Sequence, residues 1–157
     1  DEAAAVLAEF EQTIDDAAAT VEEAEATGSH FMMADGWMDG SNVAIRPFGQ
    51  GSYVSELAES IGLVNAWEEE VDPMWGLGQT DVEGLATGLA GKDDLTFVYS
   101  ASTDDVFTTG LADNPIWADL PFVRSGDVVK LEPGTWTFGG PRSGEKIVQQ
   151  FADAVTS

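Results

Sequence analysis

A chain of 157 residues and 16.6 kDa has the size of one ordinary domain. Its 29 acids against six bases leave a net charge of −23, and six scattered bases cannot build the basic face that nucleic-acid binding needs. No apolar run reaches the ~20 residues of a membrane span, and the absence of cysteine excludes disulfides, thiolate metal sites and a cysteine nucleophile.

With 43% apolar residues, five Trp and eight Phe, the chain has material for a core. Such acidity raises solubility and fits a salty or extracellular setting, and it also fits a docking surface for a basic partner. The chain opens at Asp1 with neither Met nor signal sequence, which reads as a mature or truncated fragment.

Residues 1–27 read as one long helix. Ala dominates, Val6, Leu7, Phe10, Ile14 and Val21 recur at helical spacing, and Gly28 is the expected stop. Its polar face holds acids and no base, so packing must support it. After Gly28, short strands alternate with helices. His30–Ala34 reads as a buried strand, DGWMDGSN as a turn-rich loop, and Val43–Arg46 as a short or edge strand. Ser52–Ile61 has helical periodicity, Asn65–Gly78 is an irregular loop, and Asp81–Leu89 is a short helix.

Leu95–Ser100 (LTFVYS) is a near-continuous apolar run, as a central parallel strand requires. Asp104–Leu111 and Asn114–Leu120 read as helices, the second with Pro just inside its start. Val128–Leu131 reads as a strand, Gly134–Gly140 as a loop with two aromatics, and Arg142–Val155 as the closing helix. The expected fold class is α/β: a three-layer, Rossmann-like lobe with a mostly parallel central sheet flanked by helices, preceded by a long N-terminal helix.

Enzyme constellations are scarce. The single histidine, His30, sits in a strand pattern, and no Ser–His–Asp triad or phosphate loop accompanies it. Asp35 and Asp39 flank a Gly-containing turn without EF-hand spacing. The aromatics say more. Trp75 lies in DPMWGLG, and Trp136 and Phe138 lie in PGTWTFGG. Each loop Trp either caps the core beneath it or offers a flat apolar wall to a ligand. Trp117 reads as core, whereas Trp37 and Trp67 read either way.

The stretch NPIWADLPFVRSGDVVKLEPGTWTFGGPRSGEKIVQQF resembles the end of iron–siderophore substrate-binding proteins of ABC importers, and GSYVSELAESIGLVNAW and DPMWG are similar to upstream motifs of that family. The likeness runs from about residue 41 to 157 and favours the ferric-hydroxamate (ferrichrome-type) binders. It implies two α/β lobes joined by a long rigid helix, with ligand in the cleft between them. Residues 1–27 would be the end of that interlobe helix, and residues 28–157 the C-terminal lobe, with the N-terminal lobe absent.

By the same resemblance Trp75, Trp136 and Phe138 line the siderophore side of the cleft, Arg142 can reach it, and Glu83 docks on the permease. Phe138 stands where the hydroxamate binders often carry Tyr, and Pro73 where they can carry an amide. Iron would be held only through the siderophore, with no protein metal ligand and no catalysis. The protein would be extracytoplasmic, with a lipid anchor as its one tie to the membrane. Two other readings stand beside this one. Haem or a corrinoid could take Met74 or Tyr99 as an axial ligand, or a small α/β enzyme could act on a cationic or polar substrate.

Overall fold

In the computed structural model, which describes residues 1–101 and 105–157, the chain opens with helix α1 (Glu2–Glu23), capped by the Asp1 side chain, which accepts the Ala3 N–H at 3.3 Å. The helix stops four residues before the predicted end. Glu25 turns into the left-handed region (φ 57°), its N–H bonds the Glu22 carbonyl at 3.0 Å, and the Ala26 N–H reaches back to Val21 at 2.9 Å. This is a Schellman closure built on a glutamate rather than a glycine. Gly28 lies beyond the stop (φ 88°), where its N–H donates to the Gly62 carbonyl at 2.7 Å and steers the chain toward the sheet.

Strands β1 (His30–Asp39), β2 (Asn42–Pro47), β3 (Val64–Asn65), β4 (Leu95–Ser100) and β5 (Val128–Lys130) form one sheet in the order β2-β1-β4-β5, with β3 on the first residues of β1. The β1–β2 pair is antiparallel and the other pairings are parallel. The stretch expected as a turn-rich loop is therefore the second half of β1. Asp35–Asp39 pair with Arg46–Asn42, and only Gly40 and Ser41 turn, with Gly40 at φ 65° in the first central position. Asp and Gly depress strand propensity, and the cross-strand partner overrides them.

Side chains of β1 and β4 alternate between two buried layers. Phe31, Met33 and Val98 pack with α1, α2 (Tyr53–Ser60) and α6 (Pro141–Thr156). Met32, Ala34, Phe97 and Tyr99 face the layer of α3 (Val82–Gly88), α4 (Pro115–Ala118) and α5 (Pro121–Ser125). Burial on both faces explains why LTFVYS lacks a polar alternation, and each large side chain there contributes roughly 1.5–3 kcal/mol. Phe97 stacks on Phe122 at 5.1 Å and meets Trp117 edge-on at 5.4 Å, so Trp117 is core.

The helix expected over Asp104–Leu111 begins outside the described residues. Its described part is a run of turns over 106–113, in which Thr109 donates to the Asp105 carbonyl and Leu111 to the Val106 carbonyl, both at 2.9 Å. Pro115 and Pro121 each sit in the first turn of a short helix, and the second of these was not predicted. Among the described residues no helix is long and apolar enough to cross a membrane.

Candidate functional site

The parallel strands end at one edge of the sheet, where the segments after β3, β4 and β5 emerge, the usual ligand edge of open α/β sheets. The first of these segments is folded by one carboxylate. Asp72 accepts the N–H groups of Trp75 at 2.7 Å and Met74 at 3.0 Å on one oxygen, and that of Leu77 at 2.9 Å on the other. These donors, Trp75 first, hold its carboxyl below the ordinary range despite some desolvation. Gly76 closes the turn at φ 68°, and a Cβ there would lie 2.6 Å from the Gln50 carbonyl and against the Ser52 N–H. The turn holds Met74 and Trp75 out in solvent, 78% and 56% exposed. Trp75 is thus no lid of the core.

Trp136 is likewise 60% exposed. Its ring meets Phe138 edge-on at 5.3 Å, and Phe138 lies 6.0 Å from the buried Phe48. Thr137 between them is buried, which fixes the segment while Trp136 projects. Phe138, Phe48, Tyr53, Trp75 and Met74 line a cavity of about 210 Å³, with Glu56 as its one charged side chain among the described residues. Two of the predicted aromatics therefore share one cavity, and Phe138 carries the third on its edge. The Tyr53 hydroxyl donates to the Gly140 carbonyl at 2.7 Å and ties α2 to the segment before α6, and desolvation raises its pKa.

Sequence reasoning missed the floor of this wall. Arg46 on β2 opposes Asp35 on β1 and donates to it through both Nε, at 2.9 Å, and Nη2. The same guanidinium lies over Phe138 at 5.4 Å, Phe48 at 5.8 Å and Trp37 at 5.9 Å. The one available signal was a base beside an aromatic in RPFG, and it has no meaning until β1 and β2 are known to pair.

Three residues of the first upstream motif, Ser52, Asn65 and Trp67, are structural. Buried Asn65 donates to the Phe48 carbonyl at 2.9 Å and to Ser55 Oγ at 3.0 Å, and accepts the Trp67 N–H at 3.0 Å. Ser52 caps α2 by accepting the Ser55 N–H at 3.2 Å and donates to the Gly49 carbonyl at 2.8 Å. Trp67 is core, and a Cβ on Gly88 would lie 2.6 Å from its ring.

The remaining candidates lie apart from the aromatic wall. Glu83 is exposed in the first turn of α3 and borders a polar groove of about 540 Å³ with Asp39 and Asp81. Asp81 is occupied as the N-cap of α3, accepting the Gly84 N–H at 2.8 Å. Arg142 is exposed in the first turn of α6 and does not line the cavity. His30 is exposed at the start of β1. Tyr99 is buried, and desolvation together with its 2.9 Å hydrogen bond to Asp105 pushes its pKa to about 12, which suits a structural phenol and no axial ligand. Among the described residues no group of His, Asp and Glu is arranged to hold a metal ion.

Fold and sequence together define a class: the chain resembles the C-terminal lobe of siderophore-binding proteins of ABC transporters. It is 30% identical over 108 residues to the iron(3+)-hydroxamate-binding protein FhuD of Escherichia coli (strain K12), a match that covers 69% of this chain and 34% of that protein. FhuD from Vibrio cholerae, solved with Fe3+-Desferal, superposes with a TM-score of 0.74 at 17% identity, over 97% of this chain and 53% of that one. FeuA from Bacillus subtilis, solved with ferri-bacillibactin, gives 0.74 at 17% identity, over 98% and 53%. The chain thus spans about half the length of these solved structures and a third of the curated relative. These relatives are binding proteins, not enzymes. No family model matches the chain.

Proposed function

We propose that this chain is the C-terminal lobe of the substrate-binding component of an ABC importer for ferric siderophores, with the hydroxamate type favoured. The observation that carries the reading is the exposed wall of Trp75 and Trp136 on Phe138 at the ligand edge of the sheet. Large aromatics held out in solvent by an occupied carboxylate and a buried threonine need a partner surface. A ferric complex wrapped in its chelator offers an extended apolar exterior that such a wall fits. Iron then meets only the siderophore, and the protein supplies shape.

In this reading residues 1–27, with α1, form the end of the helix between two lobes, and residues 28–157 form the second lobe. Arg142 approaches the bound complex from the rim, and Glu83 meets a basic pocket of the permease. The protein works outside the cytoplasmic membrane, tied to it by a lipid anchor. The test is tryptophan-fluorescence titration of the full-length protein with ferric hydroxamates, ferric catecholates and haem. Sub-micromolar quenching by a hydroxamate is the expected result. Saturable binding of haem alone, with a shifted haem absorbance, would replace the ligand while keeping the fold.

A further inference from the structure

We infer that the cavity between Trp75 and Phe138 receives a cationic ammonium group carried by the ligand, with Glu56 as its counter-charge; the inference rests on the siderophore reading above. The cavity measures about 210 Å³, below the ~300–1,000 Å³ of pockets that engulf a whole small molecule. It is too small for a ferric complex and large enough for an alkylammonium tail. Among the described residues its lining combines the aromatic residues Phe48, Tyr53, Trp75 and Phe138 with one carboxylate and no base. Aromatic surface around a single carboxylate is the chemistry that selects ammonium ions, through ring quadrupoles and one full charge.

Glu56 is free for this role. It is exposed, and among the described residues its side chain makes no hydrogen bond and no ion pair. Arg46, which lies over Phe138 and Phe48, is already neutralised by the fork to Asp35 and offers little repulsion. Glu56 lies in the first turn of α2, whose N-terminal dipole amounts to about half a charge at most, against a full carboxylate. The net charge of −23 attracts cations to the whole surface and works against polyanionic complexes. The ligand class is therefore a ferric hydroxamate with a free amine, rather than a triply anionic catecholate.

The test compares three probes on the full-length protein by fluorescence titration. These are ferrioxamine B, whose chain ends in a free ammonium, its N-acetylated derivative, and ferrichrome, which has no amine. Acetylation is expected to weaken binding roughly 5- to 30-fold in the wild type, as for a partly desolvated cation–aromatic contact. Glu56→Gln should remove most of that difference while changing ferrichrome affinity far less than that of ferrioxamine B. Equal affinity of the wild type for ferrioxamine B and its acetylated form would overturn the inference, as would a Glu56→Gln variant that weakens all three probes alike. Failure of every ferric hydroxamate and ferric catecholate to bind would overturn the siderophore reading itself, a result distinct from either of these.

Discussion

The Trp75 N–H donates to the Asp72 carboxylate at 2.7 Å, and this contact sets where the exposed indole stands. Three backbone donors on one side chain replace the ladder bonds that this turn lacks. Because these donors lower the Asp72 pKa, its contribution to the turn is complete above the ordinary carboxylate value of ~3.9 and fades only as pH falls through the lower folded value. Ligand quenching at Trp75 should thus be flat between pH 7 and pH 5. Asp72→Ala should weaken quenching at neutral pH, and the stability gap between variant and wild type should close below about pH 4. Urea denaturation at several pH values reads the gap; one that widens in acid would contradict this account.

Gly76 is the second determinant of the same turn. Its φ of 68° and the close approach of the Gln50 carbonyl leave no room for a Cβ. Gly76→Ala should destabilise the protein by about 1–3 kcal/mol, the range for strained backbone plus a displaced neighbour. Chemical denaturation measures it, and a neutral substitution would mean that the turn relaxes freely.

Much of the fold was legible because burial repeats along the chain. LTFVYS, buried on both faces, announces a central strand, and Val54, Leu57 and Ala58 announce the inward stripe of α2. Two features were not legible. The DGWMDG strand depends on its partner β2, since Asp35 sits comfortably in a sheet only because Arg46 faces it. The end of α1 depends on Glu25 taking a conformation that sequence rules reserve for glycine. In the site, the two loop tryptophans could be found by their Gly- and Pro-rich context. Their exposure could not, because it is set by Asp72 and Thr137, whose roles appear only in three dimensions.

Glu25 gives a direct test of that account. A glutamate in the left-handed region carries a steric penalty that glycine avoids, partly offset by the extra freedom of glycine in the unfolded chain. Glu25→Gly should stabilise the protein by up to about 1 kcal/mol, visible as a higher denaturation midpoint with an unchanged slope. Loss of stability would place the closure of α1 elsewhere.

The exposed tryptophans should separate binding from folding. Trp75→Ala and Trp136→Ala remove rings that are more than half exposed, so thermal stability should move by no more than about 0.5 kcal/mol. In the full-length protein each should weaken ferric hydroxamate binding by about 1–3 kcal/mol, as for an aromatic hot spot. Trp117→Ala is the control: its buried ring touches Phe97, Phe107 and Phe122, and its loss should cost about 3–5 kcal/mol of stability. A loop variant that behaves like the control would belong to the core.

Glu83 and Asp81 share one groove and carry different duties, which makes the docking proposal testable. Asp81 holds the Gly84 N–H at 2.8 Å as the cap of α3, whereas the exposed Glu83 carboxylate makes no hydrogen bond or ion pair among the described residues. Asp81→Ala should therefore lower stability by about 1 kcal/mol, the usual loss for an N-cap. Glu83→Ala should leave folding and siderophore affinity intact in the full-length protein and reduce uptake through the cognate permease. A desolvated carboxylate–arginine pair at an interface can matter by several kcal/mol, enough for transport to fall tenfold or more. Glu83→Lys should be more severe, because it sets like charges against each other. Uptake that is indifferent to both substitutions, with siderophore binding preserved, would remove Glu83 from the docking surface and leave the ligand wall untouched.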